Sequence, residues 1–456
     1  MRIAHFYHVR EGLSGCRPAF LYEGEISCQY HKDIAAETFF SVITLCFSLF
    51  FRTFAPVFKK IAIFLCLFSF VQAQAEATMP SAESSMDSGD SIRVTLLTCS
   101  PGQEVYELYG HTAIRCQAPT FDAVFNYGVF DMSTPHFAWR FVLGQTDYMV
   151  QPIPWTIFIR EYEERGSSVV EQELNLTGAE ARRLTIRLLE NSEPENCQYR
   201  YSFLYKNCTT MVRDMVEDAI IGRVQYPDTL PHLTARQILH RYTAEHPWAQ
   251  EGNDLLLGTE VDTIMSERAA MFIPENMMQA FDGAFICTPR GDMRPLVRNS
   301  NVILEAKPQV AEPEFPLLPW QAMLAFGGLC LLIMLLEAWT KHLFWLWDVL
   351  ILLFQGIAGL LLAFMFLFSE HPAVDSNWQV WVLNPIALIG IPLVIKAAIK
   401  HRPTLWYAFY FVALALFLLF SPWIPQVFAK ITIPLTLCLL TRPISYYLRK
   451  GEKVKR

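Results

Sequence analysis

Charge is scarce in this 456-residue chain: Asp, Glu, Lys and Arg make up 18% of it, against 52% hydrophobic residues. So apolar a composition excludes intrinsic disorder, and a formal net charge of -7 excludes nucleic-acid binding as its overall role. Internal repeats are missing, and no low-complexity tract occurs beyond the Ser/Met/Asp-rich Ser81–Ser91. No C-x-x-C pair and no His/Cys cluster has the spacing of a zinc site, so no metal or other cofactor is expected. No Met lies between Met1 and Met79.

The charge that is present is segregated. Residues 1–75 carry 7 Lys+Arg against 5 Asp+Glu, residues 76–316 carry 19 against 34, and residues 317–456 carry 11 against 5. An acidic middle is flanked by basic, apolar ends. Within the leader, residues 1–75, the run KKIAIFLCLFSFVQAQA at 59–75 has two lysines, an apolar stretch and small residues at Ala73 and Ala75. That is the pattern of a signal peptide, spanning about 57–75. Residues 1–35 follow neither helical nor strand period, and the expectation is a misplaced start codon with the true initiator near Val57. The alternative is a further anchor at 39–51, which is short for a span.

Apolar stretches at 317–336, 344–368, 378–396, 404–421 and 423–441 each approach the ~20 residues that cross a bilayer. They predict an all-α transmembrane domain of five helices over 320–442, with a basic tail at 443–456. Lys341 and the group Lys396, Lys400 and Arg402 alternate with Glu370 and Asp375, and Arg442 is counted with the tail. The positive-inside rule then predicts a multi-pass protein of the inner membrane, with its middle domain periplasmic and its C-terminus cytoplasmic. Asp348 reads as an interfacial charge. Lys430 must snorkel or mark the outer end of a short fifth helix.

The exported domain spans 91–300, and a Pro-rich linker at 301–319 joins it to the membrane; Lys307–Pro319 alone holds four prolines. Alternating apolar positions predict strands at Ile92–Thr98, Thr112–Cys116, Ala123–Phe130, Tyr148–Ile153 and Val169–Leu176. Helices are predicted at Trp155–Glu164, after the capping box of Thr177 and Glu180, and at Cys208–Ile220, Ala235–Tyr242 and Pro274–Phe281. The class is α+β. Five cysteines fall here, namely Cys99, Cys116, Cys197, Cys208 and Cys287, and an odd count in an oxidising compartment leaves a thiol unpaired. Which of the others pair is left open.

The chemistry concentrates in Tyr205-Lys-Asn-Cys-Thr-Thr-Met-Val-Arg-Asp. Apolar Met211, Val212, Met215 and Val216 follow helical spacing, so Cys208 falls on the first turn, where free N–H groups and the dipole favour a thiolate. The plainer reading is a core thiol or half of a disulfide. A thiolate nucleophile needs a base, and His111 in Tyr109-Gly-His-Thr-Ala-Ile-Arg, held at a strand start, suits that role. Asn126, in Asn126-Tyr127-Gly128 on the next strand, is placed to accept the second imidazole N–H, as the third member of Cys-His-Asn sites does. Taken singly, His111 and Asn126 are more often structural residues.

An early-strand His, a polar residue on the next strand and a later Asn-Cys at a helix start resemble the permuted papain-like (NlpC-type) fold of lecithin:retinol acyltransferase and the phospholipid-linked acyltransferases. More closely, the chain is similar to the Lnb family, whose N-terminal periplasmic domain is attached to a multi-helix membrane domain. The residues concerned are Leu96–Gly102, Tyr109–Arg115, Phe125–Gly128, Tyr205–Thr210, Arg213-Asp214 and Asn253–Gly258. The resemblance spans about 92–285. It implies His111 and Cys208 as the catalytic pair, and a lipoprotein N-acyltransferase activity with a phospholipid as acyl donor and a lipoprotein N-terminus as acceptor. The alternatives are a membrane-tethered NlpC-type cysteine peptidase acting on cell-wall peptides, and a non-enzymatic envelope lipid-binding or scaffold protein.

Overall fold

The computed structural model describes residues 92–131, 133–307, 315–400 and 403–453, with side chains as far as Leu448. The signal peptide expected at 57–75, the alternative anchor at 39–51 and the Ser81–Ser91 tract lie outside them.

The first part of the described chain opens with strands β1 (Arg93–Cys99), β2 (His111–Ala118) and β3 (Phe121–Val129). Then come helix α1 (Phe137–Val142), β4 (Asp147–Pro154), α2 (Trp155–Arg165), β5 (Val169–Leu174), α3 (Gly178–Ser192), β6 (Gln198–Arg200) and α4 (Cys208–Ala219). After β7 (Arg223–Gln225) follow α5 (Ala235–Tyr242), α6 (Pro247–Leu256), α7 (Glu267–Ala270), α8 (Pro274–Asp282), β8 (Phe285–Cys287), β9 (Met293–Pro295) and β10 (Val297–Leu304). Seven strands form one antiparallel sheet in the order β10-β5-β1-β2-β3-β4-β6, and β7, β8 and β9 form a second, small one.

Side chains alternate across the large sheet, so each strand feeds two cores. Leu96, Ile114, Phe125 and Tyr127 pack with Val212 and Val216 of α4 and Met277 and Phe281 of α8, whereas Leu97, Ala113 and Val124 pack with Phe158 and Tyr162 of α2. From Val94 to Cys99 every β1 residue is buried, which is why it is central. Helix α3 starts where Glu180 N–H donates to Thr177 Oγ1 and Thr177 N–H donates back to Glu180 Oε2, the capping box read from the sequence.

Helices α1, α6 and α7, the small sheet and the edge strands β6 and β10 go beyond the expected elements. Strand β10 pairs with β5 as far as Leu304, and Lys307 N–H donates to Gly166 O.

Among the described residues five helices follow: α9 (Pro319–Thr340), α10 (Trp345–Phe368), α11 (Ala387–Lys400), α12 (Trp406–Phe420) and α13 (Thr432–Lys453). Among the described residues three segments, Pro319–Thr340, Trp345–Phe368 and Trp406–Trp423, are long and apolar enough to cross a membrane. The third helix begins later than expected. Trp378–Trp381 is a 3-10 turn, and Pro385 keeps Asn384 out of a helix, so α11 starts at Ala387. The last helix is also displaced: Pro422 and Pro425 break the chain after α12, and the helix runs from Thr432 to Lys453, into what was expected to be tail. Lys430 stands exposed just ahead of it.

One charge differs from its sequence reading and another gains a partner: Arg442 is 2% exposed, not a tail cation, and Asp348, in the first turn of α10, is 1% exposed. Arg442 Nε donates to Asp348 Oδ1 at 2.6 Å, its Nη2 donates to Glu337 Oε1 at 2.8 Å, and Tyr407 OH donates to Asp348 Oδ2 at 3.0 Å. Charges taken out of water must find partners, and these tie α9, α10, α12 and α13 together.

Segments 369–379 and 421–431 of the helical region meet the sheet domain. Asn377 Nδ2 donates to Leu255 O at 2.7 Å, Gln426 Nε2 to Leu257 O at 3.2 Å, and Gly258 N–H to Ala373 O at 2.6 Å. At Gly258 a Cβ would sit 2.4 Å from the Ser376 carbonyl carbon, so only glycine allows this approach. Beneath the joint, Arg236 donates to Asp254 at 2.8 Å and Asp262 at 2.7 Å, and Asp254 also takes His240 Nε2 at 2.9 Å.

Candidate active site

Cys208 opens α4 because Asn207 caps it. Asn207 Oδ1 accepts the N–H groups of Thr209 and Thr210, each at 2.9 Å, and its Nδ2 donates to the carbonyls of Phe203 and Phe272, each at 2.8 Å. An amide with all these bonds made is fixed, and so is the helix start it holds. The cap consumes two first-turn donors. Of the first-turn N–H groups, the one on Cys208 itself is left to meet an oxyanion.

His111 begins β2, paired with Cys99 across the β1 ladder. Its Nε2 lies 2.5 Å from Asn126 Oδ1, and the imidazole and the Cys208 side chain both lie within 4.0 Å of the Cβ position of Gly128. The three residues singled out from the sequence, Cys208, His111 and Asn126, therefore come together. Thr112 Oγ1 and Thr209 Oγ1, 3.2 Å apart, pin strand to helix beside them. Gly128 borders the group: its φ of +95° would strain an L side chain, and its Cβ position lies 3.7 Å from Cys208 Cβ and 4.0 Å from His111 Cε1.

The electrostatics favour the thiolate–imidazolium form. Burial pushes the Cys208 thiol up, but the His111 charge and hydrogen bond, helped by the Thr112 backbone N–H, outweigh it and bring it down to about 7. Burial pulls the imidazole down, and the Cys208 charge and the hydrogen bonds to Cys208 and Asn126 outweigh that, raising it. Cys99 and Cys116 behave oppositely: buried among apolar groups, both thiols are pushed up, Cys116 to about 12. All seven described cysteines are unbridged.

Two neighbours escaped the sequence reading. Tyr162 of α2 stacks on His111 with ring centroids 6.4 Å apart and planes 15° apart, fixing the imidazole from the second core. Nothing at residue 162 signals this, because it depends on α2 folding back over the sheet. Asn253 Nδ2 donates to the Tyr109 hydroxyl at 2.7 Å, which ties two of the quoted motifs to one another beside the His111 strand.

Fold and site define a membrane-attached α+β protein carrying a Cys-His pair at a helix start. Two family models match the chain: the Lnb N-terminal periplasmic domain over residues 82–241 and the Lnb transmembrane domain over residues 311–453. The chain belongs to the Lnb family, and it is a membrane protein with a periplasmic N-terminal part. No curated protein and no solved structure matches it. His111, Asn126 and Cys208 all fall within the first matched range, whereas Asn253–Gly258 lies beyond it.

Proposed function

We propose that this protein is a lipoprotein N-acyltransferase of the permuted papain-like kind, moving a fatty acyl group from a phospholipid to the N-terminal amine of a diacylglyceryl-cysteine lipoprotein. The observation that carries this reading is the Cys208–His111–Asn126 arrangement at the cap of α4, with the Cys208 thiol brought down to about 7.

In the first half of the cycle the Cys208 proton passes to His111, and the thiolate attacks the ester carbonyl of the phospholipid. The C–O bond breaks, a thioester forms, and His111 returns its proton to the departing lysophospholipid oxygen. In the second half the lipoprotein amine attacks the thioester. The C–S bond breaks, an amide forms, and the amine proton travels through His111 back to Cys208. During both tetrahedral stages the Cys208 N–H faces the developing oxyanion. Asn126 Oδ1 accepts the Nε2 proton of His111 throughout, which keeps the other ring nitrogen directed at sulfur.

The membrane region gives both lipids a reason to arrive. Exposing an acyl chain to water costs about 0.8 kcal/mol per CH₂, so a site docked against the outer ends of the helices is favoured over one in solution. That docking through 369–379 and 421–431 also supports the orientation with the domain periplasmic and the far helix ends cytoplasmic.

The test is to incubate the purified protein with phospholipid vesicles and a synthetic diacylated lipopeptide and to weigh the peptide. A mass increase of one acyl chain, lost in Cys208→Ser, is expected. Lipopeptide that gains nothing, or that is cleaved, overturns the reading.

A further inference from the structure

Helix α1, Phe137–Val142, buries none of its six residues. So short a helix does not hold together alone in water, and its sequence Phe-Ala-Trp-Arg-Phe-Val has three aromatic rings. Trp139 is 56% exposed and Phe141 46%. Its contacts run to the end of a membrane-spanning segment. The Trp139 ring lies 4.7 Å from Phe364 of α10, which lies 5.3 Å from Phe368. Val142 O accepts Ser369 Oγ at 2.8 Å, and Leu143 O accepts Glu370 N–H at 2.8 Å. On the polar side Arg140 donates to Asp147 at 2.6 Å, Arg200 donates to Asp147 at 2.9 Å, and Arg200 reaches Glu370 at 2.9 Å. The helix is thus clamped where α10 ends, with charge and apolar rings on different sides.

In the other direction the rings lead to the site. Phe137 stacks on Phe130 at 5.8 Å, Phe130 on Tyr148 at 4.9 Å, and Tyr148 on Tyr201 at 4.1 Å. Phe130 stands two residues beyond Gly128, whose Cβ position lies 3.7 Å from Cys208 Cβ.

We propose that α1 is a lipid-facing lip: the acyl chain of the donor phospholipid leaves the outer leaflet along Trp139 and Phe141 and crosses Phe137, Phe130 and Tyr148 to Cys208. This rests on the acyl-transfer reading above. An exposed aromatic patch continuous with a spanning helix matches the bilayer interface, where aromatic rings concentrate, and an apolar track spares the chain contact with water. A protein partner would have to displace lipid from the end of α10 to reach the same rings.

The experiment uses the full-length protein in phosphatidylethanolamine/phosphatidylglycerol vesicles containing a phosphatidylethanolamine with a diazirine in its acyl chain. After illumination, mass spectrometry is expected to find lipid on Trp139 or Phe141, and none on Ile186, which is also exposed but on α3. The double variant W139E/F141E should lose at least tenfold of its acyl transfer from vesicles, and less than twofold from a water-soluble six-carbon phospholipid, with Cys208 alkylation unchanged. Absence of label on α1, label from a photoactivatable lipopeptide only, or equal loss with both donors overturns the proposal. A wild-type protein that takes label on α1 but transfers no acyl group defeats the acyl-transfer reading instead and leaves the lip as a membrane contact.

Discussion

His111 Nε2 and Asn126 Oδ1 stand 2.5 Å apart on adjacent strands, so the imidazole is held by the sheet rather than by a loop. This contact commits one ring nitrogen and leaves the other to Cys208. A hydrogen bond to a charged partner is worth roughly 1.5–3 kcal/mol, about ten- to a hundredfold in rate. Asn126→Ala is therefore expected to lower turnover by about that factor while leaving folding intact, and Asn126→Gln to lose nearly as much, because its longer side chain displaces the acceptor. Steady-state kinetics alongside thermal melts separate the two effects; unchanged turnover in Asn126→Ala would reduce Asn126 to a sheet residue.

The thiol at Cys208 makes a pH-dependent prediction. Its thiolate fraction rises as pH climbs through about 7, so the rate of iodoacetamide alkylation should rise with a midpoint there. His111→Ala removes the largest influence lowering the thiol and leaves burial, which raises it, so the midpoint should move above the ordinary 9.0. Catalysis in the same variant should fall by about 10²–10⁴. A midpoint that stays near 7 would mean that the helix start, not the imidazole, sets the thiolate.

Legibility followed the range of the forces. Strands β1 to β5 and helices α2 to α5 and α8 follow local apolar periodicity and caps such as Thr177 and Asn207, and their limits came out within a residue or two of the expected ones. His111 and Cys208 were legible because each opens an element that its own neighbours define, whereas Asn126 lies inside β3 and was reached through its place on the strand after His111. Helix α1 was not, because Phe137–Val142 is stabilised by segment 369–377, more than 200 residues away. Arg442 was misread for the same reason: a cation close to a basic tail looks like tail until Glu337 and Asp348 are brought to it.

Loss of that cation supplies a stability prediction. Arg442→Met leaves two buried carboxylates without compensation, and breaking a buried ion pair from one side costs about 3–5 kcal/mol. The variant should unfold in detergent at markedly lower temperature or denaturant than the wild type. Replacing the whole cluster, with Arg442→Met, Glu337→Leu and Asp348→Leu together, should recover most of the loss. Failure of the triple variant to recover would point to a role beyond packing.

The joint between sheet domain and helices yields the last prediction. Asp254 accepts from buried Arg236 and from His240, and its own carbonyl accepts Gln379 Nε2, so one residue links the Asn253–Gly258 segment to the start of the third apolar stretch. Asp254→Ala leaves Arg236 with Asp262 and the carbonyls of Leu257 and Gly258, so the guanidinium keeps partners and the domain should still fold. What weakens is the seating of Leu255–Gly258 on Asn377 and Gln426. If the joint holds Cys208 at the bilayer surface, transfer from vesicle phospholipid should fall about tenfold or more, whereas Cys208 alkylation keeps its midpoint near 7. Protease sensitivity within 255–258 should rise in parallel. Equal rates from vesicles in Asp254→Ala and wild type would show that the seating of the domain does not limit the arrival of lipid.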